Sequence, residues 1–463
     1  MTSLTHPKTP LRVLPTLNAD GTRIRIRPKV YPGRFGTARA WVGWSLIVIF
    51  VAMPLIRIGG HPAMFLDVAE RKFHLFGRTF LATDGVLLML FLLSTFVAIF
   101  WLTTLLGRAW CGWGCPQTVY MELLFRPIER WFEGDRAEQA RLDRQGFSFR
   151  RLGKNLVFAL LAVALANVFL SYFVGVDRLK SWILASPFER PAPFLVMATT
   201  ALLVFLDFAW FREQMCTVAC PYARLQAVLL DQRSLVIGYD AKRGEPRGKG
   251  KLRTGQGDCV DCAACVVACP TGIDIREGLQ LECIACAKCV DACDSVMDKL
   301  GQARGLVRYA SQEGLRDPSA KVSLLRPRVV LYPLVILVFL VLMFTIANKR
   351  TVADVTVLRG IGLPYVVVDG MVQNQLRIKI ENRRPTASEF RIELVGADDA
   401  TLVAPENPLR VGADRREQTS VFVLSDPHRF ARKERPIVIR VSDGLGYVRD
   451  TPYKLLGPEP TRP

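Results

Sequence analysis

Eight of the twelve cysteines fall into two runs of one spacing, Cys259-x2-Cys262-x2-Cys265-x3-Cys269-Pro270 and Cys283-x2-Cys286-x2-Cys289-x3-Cys293. No apolar pattern elsewhere in the chain constrains the backbone as tightly. Three thiolates so close in sequence must wrap one face of a compact centre, while the fourth, on a following short helix, points away to a neighbour. This is the spacing of bacterial ferredoxins, in which the fourth cysteine of each run ligates the other of two 4Fe–4S clusters. On that pattern one cluster takes Cys259, Cys262, Cys265 and Cys293, and the other takes Cys283, Cys286, Cys289 and Cys269. Zinc also accepts C-x2-C pairs, but tandem x2-x2-x3 runs are not its usual signature. Asp294 stands where proline often follows the fourth cysteine. It is not a ligand position, and a carboxylate there would lower a cluster's potential.

The rest of the chain says where such a module sits. Half of the 463 residues are hydrophobic, and five stretches are apolar enough to cross a bilayer, which takes roughly 17–25 helical residues. They run from Trp41 to Ile56, Val86 to Leu106, Leu156 to Val174, Phe194 to Phe211 and Val329 to Ala347. The net charge of +19 raises the question of nucleic acid, but its distribution answers it. Basic residues crowd the segment before the first span, the connection from the second to the third (Arg126, Arg130, Arg136, Arg141, Arg144, Arg150, Arg151, Lys154) and the long fourth-to-fifth connection. The connections near His61 and Arg178 are poorer in positive charge. That alternation is the positive-inside pattern of a multi-pass membrane protein. It predicts a cytoplasmic N-terminus and cysteine module, a periplasmic C-terminus, lipid as a partner and no nucleic acid. A reducing cytoplasm also argues against disulfides. No basic n-region with a cleavable apolar stretch opens the chain, so no signal peptide is expected.

Five segments follow. Residues 1–39 are basic and proline-punctuated and read as a mostly irregular tail. Residues 40–211 form a four-helix membrane part, and 212–328 form the cytoplasmic insert with the two-cluster module. Within it Ala241–Gly257 is Gly- and basic-rich, a linker by composition. Residues 329–347 are the fifth helix. Residues 351–463 carry short Val- and Ile-rich runs (Asp354–Leu358, Tyr365–Val368, Gln375–Ile380, Phe390–Val395, Thr419–Leu424, Pro436–Val441) separated by turn residues, which predicts a periplasmic β-sandwich. This last segment has no cysteine, so it reads as a docking or scaffold module. The expected fold class is therefore membrane α-helical, with a ferredoxin-like two-cluster 4Fe–4S insert and a C-terminal all-β sandwich.

The remaining four cysteines repeat a second pattern. Past the second span comes Cys111-Gly112-Trp113-Gly114-Cys115-Pro116, and past the fourth comes Cys216-Thr217-Val218-Ala219-Cys220-Pro221. Two copies of a helix hairpin, related as a parallel repeat, would bring Cys111, Cys115, Cys216 and Cys220 together. If the segments are helical, each pair shares one face at i and i+4. Soft thiolates select Cu(I), zinc or iron–sulfur centres, so these four are a candidate copper or redox site. Packing cysteines and a dithiol relay remain open beside it. Met215 is a further soft donor by type, though it also suits packing. The four histidines (His6, His61, His74, His428) all lie outside the spans, against an intramembrane b-type haem. No GxGxxG after a strand and no Walker motif occurs, so the electrons come from a separate, unidentified donor.

With these residues in view the chain resembles the cytochrome c oxidase accessory proteins of the CcoG/FixG/RdxA family, membrane polyferredoxins. The matching stretches are GRAWCGWGCPQTVYMELLFRPIERWFEG, CTVACPYARLQ, YDAKRGEPRGKG, CPTGIDIREGLQLECIACAKCVDACDSVMDK and RGLVRYAS. The resemblance covers nearly the whole chain from the first span onward, and Asp294 is normal for the family. It implies that the protein sits in a bacterial inner membrane, that the C-terminal domain is immunoglobulin-like and that the protein assists assembly of a cbb-type oxidase. It further implies a cupric reductase, an oxidoreductase reducing Cu(II) to Cu(I) for a copper chaperone, a copper ATPase or oxidase assembly factors. Two other readings compete. Related membrane ferredoxins of nitrate- and nitrous-oxide-respiring systems share the C-x3-C-P pairs, which motivates a quinol dehydrogenase. The outward β-domain motivates a non-catalytic assembly scaffold. A homo-oligomer is compatible with all three.

Overall fold

The computed structural model describes residues 15–18, 20–58, 61–69, 72–80, 84–146, 148–248, 255–317, 326–348, 351–384, 386–431 and 433–458. The chain divides into two compact units, Met1–Met343 and Phe344–Pro463.

Among the described residues five helices are long and apolar enough to span a membrane: α1 (Arg34–Ala52), α2 (Gly85–Leu106), α3 (Phe149–Val174), α4 (Pro191–Phe211) and α5 (Pro327–Asn348). At a rise of about 1.5 Å per residue, the shortest reaches roughly 28 Å, close to the hydrocarbon thickness of a bilayer. Their exposed faces carry Val48, Leu92, Phe96, Leu160, Leu195, Leu203, Leu337 and Phe344, which suits lipid. Polar side chains within α2 are satisfied locally: Ser94 donates to the Leu90 carbonyl at 2.7 Å and Thr103 to Ile99 at 2.8 Å, as a lipid environment requires. A small aromatic core of Phe125, Phe158, Phe208, Met121 and Leu165 fastens α3 and α4 to the connecting helices.

The boundaries correct several expectations. The first helix starts at Arg34 and ends at Ala52, not at Trp41 and Ile56, because the chain turns over Met53–Leu55 into an extended pair. Ser148 caps α3, accepting from the Arg150 N–H, so that helix begins seven residues before Leu156. The connection after α1, to which sequence analysis assigns no secondary structure, folds a three-stranded antiparallel sheet of Met64–Asp67, Lys72–Leu75 and Arg78–Phe80, with Phe65 stacked on the buried His74 at 5.6 Å.

The expected loose tail is docked where it is described. Thr16 is fully buried, Arg23 pairs with Glu213 at 2.8 Å, and the Lys29 N–H donates to the Val267 carbonyl at 3.0 Å. Residues 34–39, assigned to that tail, are helical. The expected linker Ala241–Gly257 is likewise packed over its described part. Asp240 caps a helical turn at Ala241–Gly244, Gly248 N–H donates to Cys259 O, and Arg243 bonds Asp258 and the Ala303 and Arg304 carbonyls. Glycine at 257 permits contact too close for a side chain, since a Cβ there would lie 2.4 Å from the Gly244 carbonyl carbon.

The cysteine module is closed by the antiparallel pair Val236–Tyr239 and Val307–Ala310. Its apolar filling is Ile237, Ile273, Ile275, Val290, Met297, Leu306 and Val307. A twelve-residue helix, Lys288–Lys299, carries Cys289 and Cys293. Cys265 lies in the short helix Ala264–Val267, and Cys269 falls just past it rather than on a following helix.

The second unit is a β-sandwich. One sheet orders Thr401–Val403, Arg416–Ser425, Met371–Asn382 and Ala353–Arg359, with Val366–Val368 also on Met371–Asn382. The other orders Leu409–Val411, Ser388–Val395, Glu434–Ser442 and Val448–Leu456. All pairings are antiparallel. Alternate residues Leu376, Ile378 and Ile380 meet Ile392, Ile439 and Val441 in one core, the period-2 burial of a sandwich. Three strands, at Thr401–Val403, Leu409–Val411 and Val448–Leu456, were not among the six expected. Two are only three residues long, and the third is interrupted by Pro452, so each lacks an apolar run.

Candidate functional site

The two cysteine runs build two small cavities. One is lined by Cys259, Cys262, Cys265 and Cys293, together with Tyr239, Arg276 and Met297. The other is lined by Cys269, Cys283, Cys286 and Cys289, with Cys265 on the shared wall and Ile273 and Ile275 around it. Each four-cysteine set thus combines three thiols of one run with the fourth of the other. The loops that present them share a backbone signature. Asp261 and Ala263 have φ of 49° and 53°, and Ala285 and Ala287, at the matching positions of the second run, have 52° and 59°. Left-handed non-glycine residues are disfavoured by about 1–3 kcal/mol each. Their recurrence on both sides of each second cysteine is what a loop wrapped round a compact centre demands.

The donor chemistry fits iron–sulfur clusters. Burial pushes the Cys265, Cys283 and Cys293 thiols up to about 12 and the Cys289 thiol well above its ordinary value. Thiolates in such surroundings require a cationic partner, and soft iron supplies one. Among the described residues no three Cys, His, Asp or Glu side chains converge tightly enough to hold a single ion. In a cubane cluster each thiolate takes a different iron. When bound, such a group supplies one-electron transfer.

The other four cysteines come from the ends of α2 and α4, and the backbone repeats there. Gly107 and Arg212, each four residues before a first cysteine, have φ/ψ of 57°/−130° and 54°/−122°. Cys115 N–H donates to Trp110 O at 2.9 Å and Cys220 N–H to Met215 O at 2.8 Å, the same five-residue step. Cys115 and Cys220 are extended, and Pro116 and Pro221 each open a new helix. The expectation of one helical face is therefore corrected. Each pair straddles a helix break, because proline's missing N–H and fixed φ favour a helix start there. Met215 opens the π-turn that holds Cys216. Arg212 can keep its strained conformation because its guanidinium is clamped on Glu129 by bonds of 2.7 and 2.8 Å.

The repeat does bring the four thiols together, close enough for each to feel the others' charge. Burial raises Cys111 to about 11 and Cys216 to about 12. Cys111 donates to the Gln226 amide oxygen at 3.0 Å, and Gln226, fully enclosed, donates in turn to Thr103 and the Gly107 carbonyl. Cys111 also packs on Ile284 and Cys286, with Cys216 and Tyr222 beside them. At Gly112 an added Cβ would lie 2.5 Å from Ile284 O and 2.9 Å from Cys286 N. The membrane thiols and the second cysteine run thus meet backbone to backbone. Arg39 to Gly112 O at 2.8 Å, and Trp113 to Tyr309 OH at 3.0 Å, brace the contact.

Sequence reasoning named all twelve cysteines but missed Arg108, Gln226, Tyr309 and Gly112. Each lies in a stretch that carries the family likeness, yet nothing in residue type alone marks it.

Three family descriptions match this chain: a 4Fe-4S dicluster domain over residues 211–312, a 4Fe-4S binding domain over 88–134, and an IG-like fold at the C-terminus of FixG, putative oxidoreductase, over 343–458. The second of these spans Cys111 and Cys115. Among curated proteins, the nitrogen fixation protein FixG of Rhizobium meliloti is 34% identical over 490 aligned positions, covering 92% of this chain and 91% of its own. Protein RdxB of Cereibacter sphaeroides is 34% identical over 414, covering 83% and 84%, and RdxA of the same organism 34% over 395, covering 81% and 83%. The chain belongs to the FixG/RdxA family and is a membrane iron–sulfur electron-transfer protein with an immunoglobulin-like C-terminal domain.

Proposed function

We propose that the chain delivers single electrons to thiol-bound Cu(II) and releases Cu(I) for oxidase assembly. In this reading Cys259, Cys262, Cys265 and Cys293 hold one 4Fe–4S cluster, and Cys269, Cys283, Cys286 and Cys289 hold a second. Copper is the substrate at Cys111, Cys115, Cys216 and Cys220, each Cu(II) taking one electron. Two thiolates suffice for Cu(I), which is soft and tolerates low coordination numbers. The observation that carries the proposal is the contact of Gly112 with Ile284 and Cys286, which leaves no intervening side chain between the second cysteine run and the membrane thiols. The distribution of basic residues supports a cytoplasmic N-terminus and cysteine module and a periplasmic β-domain. A soluble electron donor would then act from the cytoplasm, and a copper chaperone, a copper ATPase or oxidase assembly factors would take the product.

The test uses anaerobic full-length protein reduced with dithionite, freed of excess reductant and given Cu(II) with a cuprous chelator. Cu(I) should appear at one equivalent per electron stored, and Cys216→Ser/Cys220→Ser should abolish it while iron content holds. Undiminished Cu(I) formation by that double variant sinks the membrane site. A quinol-oxidising role draws support from a cavity of about 410 Å3 between Tyr31, Arg39, Trp113, Val119, Leu123 and Lys288, next to Gly112. Cluster reduction by a quinol analogue without copper would favour that role.

A further inference from the structure

Two buried charges, neither in an ion pair among the described residues, stand one beside each cysteine cavity. Arg108 is 4% exposed. One of its nitrogens donates to the Leu281 carbonyl, while among the described residues Nε and the second Nη meet no oxygen or nitrogen acceptor and have the Cys111 thiol beside them. The guanidinium lines a pocket with Leu281, Cys283 and Ala285, and its charge reaches Cys111, Cys216 and Cys283. An unpaired buried cation is strongly unfavourable, so this position implies negative charge at the thiols around it. Lys288 and Arg126 stand on the same side, paired with Glu122, and Arg126 also reaches the Pro270 carbonyl next to Cys269.

The other cavity has the opposite surroundings. Asp294, 7% exposed and next to Cys293, accepts the Gly305 N–H at 2.9 Å and makes no ion pair among the described residues. Arg276, the one cation on that cavity wall, is divided between Asp274 and Asp261 at 2.6 and 2.7 Å.

We infer that Arg108 and Asp294 bias the two four-cysteine sites in opposite directions, so that an added electron resides preferentially at the site beside the membrane thiols. This rests on the two-cluster assignment proposed above. An added electron is added negative charge, which a nearby cation stabilises and a nearby carboxylate opposes. Without Arg108 burial would work the other way. Cys283 and Cys286 are buried whereas Cys262 is exposed, and a drier site holds extra charge less readily. Arg108 offsets that penalty at the step nearest the membrane. The electron itself comes from a soluble one-electron donor protein, replaced by dithionite in the test.

The experiment is a potentiometric titration of the full-length protein followed by EPR, in detergent and without oxygen. Arg108→Gln should shift the upper of two one-electron waves down by a factor of about ten in the reduced-to-oxidised ratio, about 59 mV for a one-electron couple, and leave the lower wave nearly in place. Arg108→Lys, which keeps the charge, should restore most of the shift. Asp294→Asn should raise the lower wave. The inference is overturned if Arg108→Gln moves neither wave, or if both substitutions move the same one. If Arg108→Gln loses its iron, the other two variants decide. A near-normal upper wave in Arg108→Lys with a raised lower wave in Asp294→Asn supports the inference, and a raised upper wave in Asp294→Asn overturns it. Iron for one cluster only in the unaltered protein would overturn the two-cluster reading as well, whereas unmoved waves in a two-cluster protein overturn this inference alone.

Discussion

Gly112→Ala tests the contact on which the proposed electron route depends. The added Cβ would sit 2.5 Å from Ile284 O, 2.8 Å from Cys286 Cα and 2.9 Å from Cys286 N. All three are backbone atoms, so no side chain can swing aside. Ordinary carbon contacts begin near 3.5 Å, so the two segments must part by about 1 Å. Overpacking of this kind destabilises by about 1–3 kcal/mol, enough to loosen the junction without unfolding either cysteine cavity. The control is Gly36→Ala, also at a membrane-edge position, where the nearest atom would be Asp291 Oδ2 at 3.4 Å. Alanine there improves helix propensity by up to about 1 kcal/mol. Gly112→Ala should retain full iron and an unchanged cluster spectrum, yet deliver electrons to copper at a small fraction of the normal rate in a stopped-flow mixing assay. Gly36→Ala should behave as the unaltered protein. A normal rate in Gly112→Ala, with its iron intact, would refute the backbone-contact route.

Three further outcomes are expected. Cross-ligation predicts that Cys269→Ser/Cys283→Ser damages one cluster, whereas Cys269→Ser/Cys259→Ser damages both, as read by iron content and EPR spin count; the reverse pattern would show each run serving its own cluster. Glu129→Gln should destabilise the first unit by about 3–5 kcal/mol, because it leaves the buried Arg212 charge without its clamp, and thermal unfolding in detergent would register it. Burial alone would raise the Glu129 carboxyl, but Arg212 outweighs that and holds it down at about 2. Its native pKa thus lies below the unfolded value of about 4.3, so the pair's stabilisation is complete above roughly pH 5 and is lost as pH falls toward 2. The acid limb of the stability profile should flatten in Glu129→Gln.

The part of the fold that reads directly from sequence is the part with strong local periodicity or fixed covalent chemistry. A long uncharged, mainly apolar run such as Leu87–Phe100 has one good solution in lipid, and alternation such as Leu376, Ile378, Ile380 has one good solution in a sandwich. Where a segment is held by distant partners, the reading fails. The tail is polar and proline-rich, yet Arg23 finds Glu213 and Lys29 finds Val267, far away in sequence. The supposed linker is held by Arg243 on Asp258, Ala303 and Arg304.

The same division runs through the functional site. Spacing alone named the eight cysteines of the module, because the distance between thiols on a short loop is a local property, and the duplicated C-x3-C-P named the other four. Only the tertiary structure decided what lies between them. It set both membrane pairs across helix breaks instead of along a helix face, and it put Gly112 against Cys286. It also left the Arg108 guanidinium buried beside Cys283 without a carboxylate partner among the described residues. Charges and close approaches of this kind arise between segments separated by more than a hundred residues. No local pattern encodes them.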